Sequence, residues 1–416
     1  MNGDTDVLVV GGGVIGLCSA YYLAEQGLRV AIVEQGEIGS GCSGENAGLI
    51  VPSHSIPLAA PGALGQGLKW TLQPDSSFYI KPRPDPALCS WLWKFRRACK
   101  PQNMLQGLRA LRDLNYASSE LFEHLLVSES LTCGYRQDGW LMTYNTERGF
   151  QKAVEEARLL QSYDIGLKIL KADEALEMEP TLRPEICGGI FFQDDAHLNP
   201  EKFVQALAKR LSEKGVAIHP HTGALEFTSS GGSITTVRTT GGDFQAKHVV
   251  LAAGAWSAKL VRNLGLKLPV QPAKGYSISI KKPEPCSRIP LYLSEVKVAV
   301  TPLEDVLRFA GKLELVGMDL DINLSRVDAI MNAPKEYLQN IEYPDAMEIW
   351  RGLRPCSPDG LPIIDHLPGF DNLIMATGHG MLGVTLAPIT GKLVSQLVCG
   401  QAPNVNLAPF GMARFK

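Results

Sequence analysis

Short runs of consecutive apolar residues recur along the chain, and glycine or another small residue follows most of them. Such runs lie within 7–10, 29–33, 248–251 and 372–376, of which the last three each begin with one polar residue. A strand that is apolar at consecutive rather than alternate positions is typical of a parallel sheet covered on both faces. The pattern therefore predicts an α/β fold with a buried parallel sheet.

The first run leads into a strand–turn–helix–strand unit. Gly11, Gly13 and Gly16 fit G-x-G-x-x-G, residues 17–26 have a helical pattern, and the second strand ends on Glu34. Glycines at these positions allow a tight turn and let a pyrophosphate approach the helix N-terminus, where free N–H groups favour negative charge. Glu34 is placed to bind the adenosine ribose, and its charge disfavours the 2′-phosphate of NADP. The predicted dinucleotide contacts are Gly11, Gly13, Val14, Ile15, Gly16, Glu34 and Gln35.

Two further glycine-rich segments favour FAD over NAD. A small polar loop at 39–48 follows the second strand, with a solvated surface loop as the alternative, and 377–383 leads into a predicted helix at 384–397. A helix start of this kind stabilises the negative charge of a reduced flavin, which an NAD enzyme does not need. The further predicted FAD contacts are Ser43, Asn46, Ala47, Gly48, Ala253, Gly254, Trp256, Gly378, Gly380, Met381, Leu382, Gly383, Val384 and Thr385.

Several motifs, in the right order, resemble the D-amino-acid oxidase superfamily of flavoenzymes. They are G-G-G-V-I-G at 11–16, S-G-E-N-A-G at 43–48, V-V-L-A-A-G-A-W-S at 249–257, W-R-G-L-R-P-C-S-P-D-G-L-P-I-I-D at 350–365 and A-T-G-H-G-M-L-G-V-T-L-A-P at 376–388, with shorter matches at 59–62, 69–70 and 272–277. Within the superfamily the chain is most similar to the bacterial D-amino-acid dehydrogenases, with glycine oxidases and the flavin subunits of proline and hydroxyproline dehydrogenases as relatives.

The resemblance implies a Rossmann-type FAD-binding domain interlocked with a smaller α+β substrate domain, whose antiparallel sheet roofs the flavin. The FAD-binding domain is expected to comprise 1–55, 195–268 and 345–416, and the substrate domain 56–194 and 269–344. A length of 416 residues is itself typical of two domains rather than one.

Local patterns predict further elements. Helices are expected at 104–126, 146–163 and 200–215, the last opened by Asn199 and followed by a strand at 216–218. Residues 234–251 have the pattern of two strands joined at the glycine pair 241–242. Residues 88–100 place apolar and basic side chains on opposite faces of a helix, which indicates either a core-facing helix or a membrane-surface helix that passes electrons towards quinone.

Amino-acid oxidation by a flavin requires the protein to hold the α-carboxylate and to aim the Cα–H bond at flavin N5. Arg354, in G-L-R-P, resembles the carboxylate-binding arginine of the superfamily, and its planar guanidinium suits paired bonds to a carboxylate. The alternative is a structural ion pair with Asp359. Arg351 has the opposite strand parity and is expected to face elsewhere.

Other polar residues are weaker candidates. Tyr276 and Tyr292 lie in the expected roof and would cap the substrate, although packed tyrosines are the alternative. His379 lies at the flavin-facing helix start and is expected to be a flavin neighbour rather than a base. His197 is expected in turn or cap structure, and Lys274 has no assigned role.

The leading hypothesis is FAD-dependent oxidative deamination of a small D-amino acid, with hydride transfer from Cα to flavin N5. Where glycine oxidases have a second arginine, this chain has Gly380 and Met381, which disfavours glycine. Oxidation of a secondary amine or imino acid such as proline, hydroxyproline or sarcosine is the enzyme alternative, and an electron-transfer subunit of a larger complex is the other. Cys42 and Cys356 are candidates for a covalent thioether to the flavin, as in sarcosine oxidases, but the spacing around Cys356 differs from that pattern, so FAD is expected to bind noncovalently.

Composition and charge disfavour other classes of protein. A formal net charge of −3 provides no basic field for nucleic acid. The nine cysteines never form C-x-x-C pairs, so neither disulfides nor a metal site are expected, and a reducing compartment fits best. No signal peptide or membrane-spanning run is recognised, which favours the cytoplasm, with peripheral contact to the inner face of the cytoplasmic membrane or with partner subunits left open. Quinone, an electron-transfer partner and oxygen all remain as electron acceptors.

Overall fold

A computed structural model of the chain describes residues 5–63, 65, 76–339, 341 and 347–415; residues 69–70 of the quoted motifs and the starts of the segments 1–55 and 345–416 lie outside them. The helices are α1 (Val14–Glu25), α2 (Pro86–Ala98), α3 (Pro101–Ser128), α4 (Glu147–Gln161), α5 (Ala172–Met178), α6 (Pro200–Glu213), α7 (Ser257–Leu260), α8 (Leu324–Asn332) and α9 (Ala387–Val398). The strands are β1 (Val7–Val10), β2 (Val30–Val33), β3 (Leu49–Ile50), β4 (Phe78–Ile80), β5 (Trp140–Tyr144), β6 (Lys168–Lys171), β7 (Gly188–Phe192), β8 (Ala196–His197), β9 (Ala217–His219), β10 (Ala224–Ser230), β11 (Ser233–Thr239), β12 (Gly242–Phe244), β13 (His248–Leu251), β14 (Gln271–Lys281), β15 (Leu291–Leu293), β16 (Val298–Pro302), β17 (Val306–Leu315), β18 (Met347–Cys356), β19 (Ile363–His366) and β20 (Leu373–Thr377).

The predicted parallel sheet is present and has six strands in the order β19-β20-β13-β1-β2-β9; we call it the nucleotide sheet. All its neighbouring strands run parallel except β19, which is antiparallel to β20. Val7 and Val9 of β1 pack with α1 and α9, whereas Leu8 and Val10 pack against the three-stranded sheet β10-β11-β12. The strand is buried at every position because both of its faces are covered.

A second, nine-stranded sheet has the order β18-β14-β17-β16-β15-β5-β7-β6, with β4 also paired to β17; we call it the roof sheet. Its pairs are antiparallel except β15 with β5 and β17 with β4. The outer face carries apolar side chains such as Ile278 and Phe309, which pack against Ile330 of α8. The inner face of β14 carries Ser277 and Ser279, and the Ser277 hydroxyl donates to the carbonyl of Glu45 in the loop 42–48.

Three local predictions were wrong in detail. Residues 234–251 form an antiparallel hairpin of β11 and β12, whereas β13 leaves it and joins the nucleotide sheet. The last helix begins at Ala387 rather than at 384, because Pro388 has no N–H and fits only the first turn of a helix. His197 lies in β8 and pairs with Leu49, whereas the helix cap is Asn199, as predicted.

The helix predicted at 88–100 is α2, and its apolar face is buried in the protein. Leu88, Trp91 and Phe95 are buried, and the Trp91 indole N–H donates to the Cys356 carbonyl at 2.9 Å. The core-facing interpretation is therefore correct for this face, and the exposed face carries Trp93 with Arg97 stacked on it. Within the described ranges, no helix is both long and apolar enough to cross a membrane.

Candidate active site

A cavity of about 660 Å³ lies between the C-terminal ends of the nucleotide-sheet strands and the roof sheet. Most of the predicted FAD contacts line it: Gly11, Gly13, Val14, Ile15, Glu34, Gln35, Ser43, Asn46, Ala47, Ala253, Gly254, Trp256, Gly380, Met381, Gly383 and Val384. Four segments that are far apart in sequence therefore meet around one space.

The cavity's first wall is the N-terminus of α1. Gly13 caps the helix without a side-chain partner, and the Val14 N–H donates to the Ser43 hydroxyl at 2.9 Å. Glu34 accepts from the Gly12 N–H at 2.7 Å, so its carboxylate is fixed at the end of β2. A Cβ added to Gly13 would meet only the Ser43 hydroxyl, at 3.1 Å, which shows that this backbone faces open space.

The remaining predicted FAD contacts support the cavity from behind. A Cβ on Gly16 would lie 1.9 Å from the Gly11 carbonyl oxygen, and one on Gly48 would lie 2.3 Å from that of Leu198. The Thr385 hydroxyl accepts from the Val51 N–H at 3.2 Å. Gly378 and Leu382 line a much smaller recess of about 30 Å³ on the other side of the same loop. Among the described residues that line the main cavity, these five are not found.

Arg354 of β18 lines the cavity from the roof side. One of its guanidinium nitrogens, Nη1, donates to the Lys312 carbonyl at 2.9 Å. A Cβ on Gly275 would lie 1.8 Å from that nitrogen, so the absence of a side chain at 275 is what makes room for the guanidinium. Lys312 has φ of +63°, an unusual conformation for a residue in a strand.

The Arg354 guanidinium faces no carboxylate among the residues that the structure describes. Burial lowers its pKa, and the titratable groups that act on it are the thiols of Cys42 and Cys356 and the phenol of Tyr292. Burial raises the pKa of the two thiols to about 11 and about 12, so both are uncharged at neutral pH. The alternative pair with Asp359 is wrong, because Asp359 binds Arg414 at 2.7 Å. Arg354 is a cation with a free site for an anion.

The two predicted tyrosines lie on opposite faces of the roof sheet. Tyr276 pairs with Arg351 across β14 and β18, whereas Arg354 pairs with Ala273, so side-chain alternation turns Tyr276 away from Arg354. Its hydroxyl donates to Glu314 at 2.9 Å, although Tyr276 is one of the cavity-lining residues. We therefore do not retain Tyr276 as a substrate contact.

Tyr292 lies on the inner face. It pairs with Ala299, which pairs with Ala310, which in turn pairs with the inward-facing Ser277. Burial raises the pKa of Tyr292, and the charge of Arg354 opposes that shift. Tyr292 is not among the described residues that line the cavity.

His379 is buried beside the cavity, and its Nε2 lies 3.0 Å from the Thr390 hydroxyl. Burial lowers the pKa of His379 to about 3, so the ring is neutral and a poor proton acceptor at neutral pH. The backbone of His379 bridges to Cys356, and the Gly380 N–H donates to the Pro355 carbonyl at 2.8 Å. The end of the Arg354 strand is thus hydrogen-bonded to the glycine-rich loop.

Lys274, which had no assigned role, belongs to a buried polar cluster on the outer face. Its ammonium donates to the Asp321 carbonyl at 2.8 Å and lies 3.7 Å from a Glu314 carboxylate oxygen. Arg351 also faces this side, where its Nε donates to the Leu320 carbonyl at 2.9 Å, although it also lines part of the cavity. Lys274 therefore has a structural role.

Sequence reasoning missed Gly275, Trp350 and Arg308. Trp350 lies four residues before Arg354 in the same strand, so strand alternation in the sequence could have found it, whereas Gly275 shares that face only through the register of β14 against β18. Arg308 had no signal, because its partners are in the loop 43–48, which is distant in sequence.

A protein family described as FAD dependent oxidoreductase matches residues 6–397 of this chain. The chain belongs to this family. The D-amino acid dehydrogenase of Vibrio atlanticus is 32% identical to it, over 99% of this chain and 100% of that relative. The D-amino acid dehydrogenase of Cereibacter sphaeroides is 33% identical, over 98% and 95% respectively. A solved structure of glycine oxidase from Geobacillus kaustophilus superposes with a TM-score of 0.80 at 25% identity and covers 98% of both chains.

Membership of the FAD dependent oxidoreductase family confirms the predicted fold class, enzyme class and cofactor. The residues present also fit FAD on their own evidence. Bare backbone at Gly13 faces the cavity, the N-terminus of α1 offers its dipole to a pyrophosphate, and the Glu34 carboxylate is fixed at the end of β2, where it would accept from the hydroxyls of a ribose. The cavity volume is in the range of cofactor and ligand sites, roughly 300–1,000 Å³.

Proposed function

We propose that this chain oxidises the C–N bond of a D-amino acid, giving an imino acid that water hydrolyses to a 2-oxo acid and ammonia. The observation that carries the proposal is Arg354, a guanidinium in the cavity wall without a carboxylate partner among the described residues. A desolvated cation is costly unless an anion pairs with it, and a substrate α-carboxylate is such an anion. The names of the D-amino acid dehydrogenase relatives support the enantiomer.

Arg354 binds and orients the substrate in this proposal. Its Nη1 is held by the Lys312 carbonyl, which leaves other N–H groups of the guanidinium for a carboxylate. Bound FAD supplies the acceptor for the hydride that leaves Cα. Because His379 is a poor proton acceptor, the substrate amine is expected to bind in its neutral form rather than to lose a proton to this histidine.

We further propose the cavity-lining residues of the segments 11–15, 34–35, 43–47, 253–256 and 380–384 as the FAD site. The glycines 16, 48 and 378 support it by packing. The proposed division of the chain also changes at one point. Because β18 pairs with β14 in the roof sheet, we assign residues 347–356 to the substrate domain and begin the last FAD-binding segment after them.

For the electron acceptor we propose a carrier other than oxygen, since the relatives described above are named D-amino acid dehydrogenases. The exposed face of α2, with Trp93 and Arg97, is the surface that we propose for contact with a membrane or a partner subunit. The proposed acceptor and the proposed contact surface both assume that the flavin passes its electrons to a separate molecule.

A substrate panel tests the proposal. The purified holoenzyme is mixed anaerobically with D- and L-amino acids, glycine, proline, hydroxyproline and sarcosine, and bleaching of the flavin absorbance is followed. Dye reduction and peroxide are measured in air. We expect bleaching by D-amino acids, dye reduction without matching peroxide, and no bleaching by their L-enantiomers. Bleaching only by proline or sarcosine would replace the proposed substrate, and a chain inert to every compound would indicate a subunit that requires partners.

A further inference from the structure

We propose that Arg308 is a positioning residue for the flavin, although it does not reach the cavity. It would act by clamping the flavin loop, which we define as residues 42–48, to the roof sheet. The inference rests on the proposed placement of FAD against this loop. Its readout is flavin release, so it does not depend on which amino acid is oxidised.

The clamp uses three separate donors of one buried side chain. Arg308 of β17 is 4% exposed. Its Nε donates to the Ser279 hydroxyl at 3.0 Å, its Nη1 to the Asn46 carbonyl at 2.9 Å and its Nη2 to a Glu45 carboxylate oxygen at 2.7 Å. The Ser277 hydroxyl adds a fourth bond, to the Glu45 carbonyl at 2.6 Å. Two strands of the roof sheet thus hold two consecutive residues of the flavin loop.

Asn46 of the flavin loop also connects Arg308 to α1, whose N-terminus faces the cavity. The Asn46 side-chain amide donates to the Ser43 carbonyl at 2.7 Å, and the Ser43 hydroxyl accepts from the Val14 N–H at 2.9 Å. A line of hydrogen bonds therefore runs from Arg308 through Asn46 and Ser43 to the first turn of α1. Loss of the guanidinium would free the loop at the position where it forms the cavity wall.

The charge of Arg308 has a second effect on Glu45. The Glu201 and Glu348 carboxylates lie close enough to raise the pKa of Glu45, as does its burial, and Arg308 opposes both. Without the cation, three carboxylates would remain near one another at the edge of the flavin loop. A neutral replacement at 308 is therefore expected to displace the loop more than a lysine would.

The chain offers a matched control in Arg326. This arginine is also buried in the roof region, where it binds Glu314 at 3.2 Å and the Ser76 carbonyl at 2.6 Å, and it makes no described contact with the flavin loop. Replacement at 326 removes a buried ion pair of similar kind. Any effect that is common to the two positions reports general destabilisation.

The experiment follows release of flavin from the holoenzyme on dilution, as the rise in free flavin fluorescence, for wild type, R308K, R308Q, R326K and R326Q. Circular dichroism under the same conditions shows whether each variant remains folded. We expect R308Q to release flavin about tenfold faster or more, since it loses a charge-assisted bond and two others. R308K should fall between R308Q and wild type, because a point charge cannot reach three acceptors. R326K and R326Q should lower Tm but keep the wild-type release rate.

Two results would overturn the proposal: R308Q with a lower Tm and an unchanged release rate, or equal acceleration by the variants at 326. If R308Q fails to fold, the flavin release rate of R308K tests the proposal in its place, and a wild-type rate in R308K would overturn it. Failure of the proposed function is distinguishable from failure of this proposal. It would appear as a substrate panel without reaction, whereas the differences in flavin release rate between the variants would remain.

Discussion

Arg354 is the residue on which the proposed chemistry depends most. Arg354→Ala is expected to lower kcat/KM by about 10²-fold or more, because each bond to a charged group contributes roughly 1.5–3 kcal/mol and an unpaired carboxylate in the cavity costs more. Arg354→Lys retains the charge but loses the paired N–H groups of the planar guanidinium, so its kcat/KM should lie between those of wild type and Arg354→Ala. Steady-state kinetics with an artificial acceptor measure this, together with the flavin-to-protein ratio, which should stay near the wild-type value.

A carboxylate-free amine with the same side chain serves as the control substrate. Wild type should oxidise it slowly, and Arg354→Ala should lose little further activity on it. An alanine variant that oxidises the amino acid at the wild-type rate would show that another group binds the carboxylate. Loss of flavin from Arg354→Ala would show that Arg354 has a structural role instead.

Asp195 is a buried carboxyl whose protonation affects stability. It accepts from the Ser53 hydroxyl at 2.5 Å and from the Ser53 N–H at 3.1 Å, and burial raises its pKa to about 8. The unfolded chain ionises this group near pH 4. The group's contribution to the free energy of unfolding is therefore fully present below about pH 4, falls as pH rises, by at most roughly 1.4 kcal/mol per pH unit, and levels off above about pH 8.

Asp195→Asn can accept from the Ser53 N–H with its amide oxygen and donate to the Ser53 hydroxyl with its amide nitrogen, and it does not ionise. Urea unfolding at about pH 5, 6.5 and 8 should show the variant gaining stability relative to wild type as the pH rises. Parallel stability curves for the two proteins would mean that Asp195 is ionised in the fold.

At the scale of single residues, the sequence was informative where a motif specified the chemistry of a side chain. It was uninformative where the prediction required the face of the sheet on which that side chain lies. G-L-R-P identified Arg354 as a cavity residue. Tyr276 was proposed to cap the substrate because it lies in the expected roof, but its register against β18 turns its side chain away from Arg354. The Lys312 carbonyl had no sequence signal, since a backbone group carries none.

Among the elements, α1 gives the sharpest test of the cofactor site. Gly13→Val should yield a folded protein with little flavin, because the side chain would enter the cavity rather than the core. Gly16→Val is the contrast, since a Cβ there would lie 1.9 Å from the Gly11 carbonyl oxygen and should reduce folding itself. The measurements are flavin absorbance per protein and circular dichroism. Normal flavin content in Gly13→Val would mean that the dinucleotide lies elsewhere.

Strands were predictable where every residue of the strand is apolar and buried, and helices were predictable where the sequence contains a recognisable capping residue. The parallel strands β1, β2 and β13 were recovered because both faces of the nucleotide sheet are covered. The roof sheet was expected only through resemblance, since antiparallel partners that are far apart in sequence, such as β14 with β18, leave no local pattern. The separation of β13 from the β11–β12 hairpin was missed for the same reason.

For the whole molecule, the cavity lies between two sheets, so FAD should stabilise both together. A ligand at about 100 times its Kd stabilises the folded state by about 2.7 kcal/mol, and Tm should therefore rise when FAD is added in excess. Circular dichroism and flavin fluorescence should report one coincident thermal transition in the holoenzyme. Flavin release well below the loss of secondary structure would contradict this expectation and would indicate that one sheet opens before the other.

The hydrogen bond from the Gly380 N–H to the Pro355 carbonyl places Arg354 and the loop 378–383 on adjacent backbones. In the proposed site, the distance from the bound carboxylate to the flavin is consequently set by a local backbone pairing and does not depend on how the rest of the roof sheet is built. Evolution can then diversify the other strands, and with them the amino-acid side chain that is accepted, while the reach of the hydride stays constant. We expect this pairing to change more slowly among homologues than any residue that touches the substrate side chain.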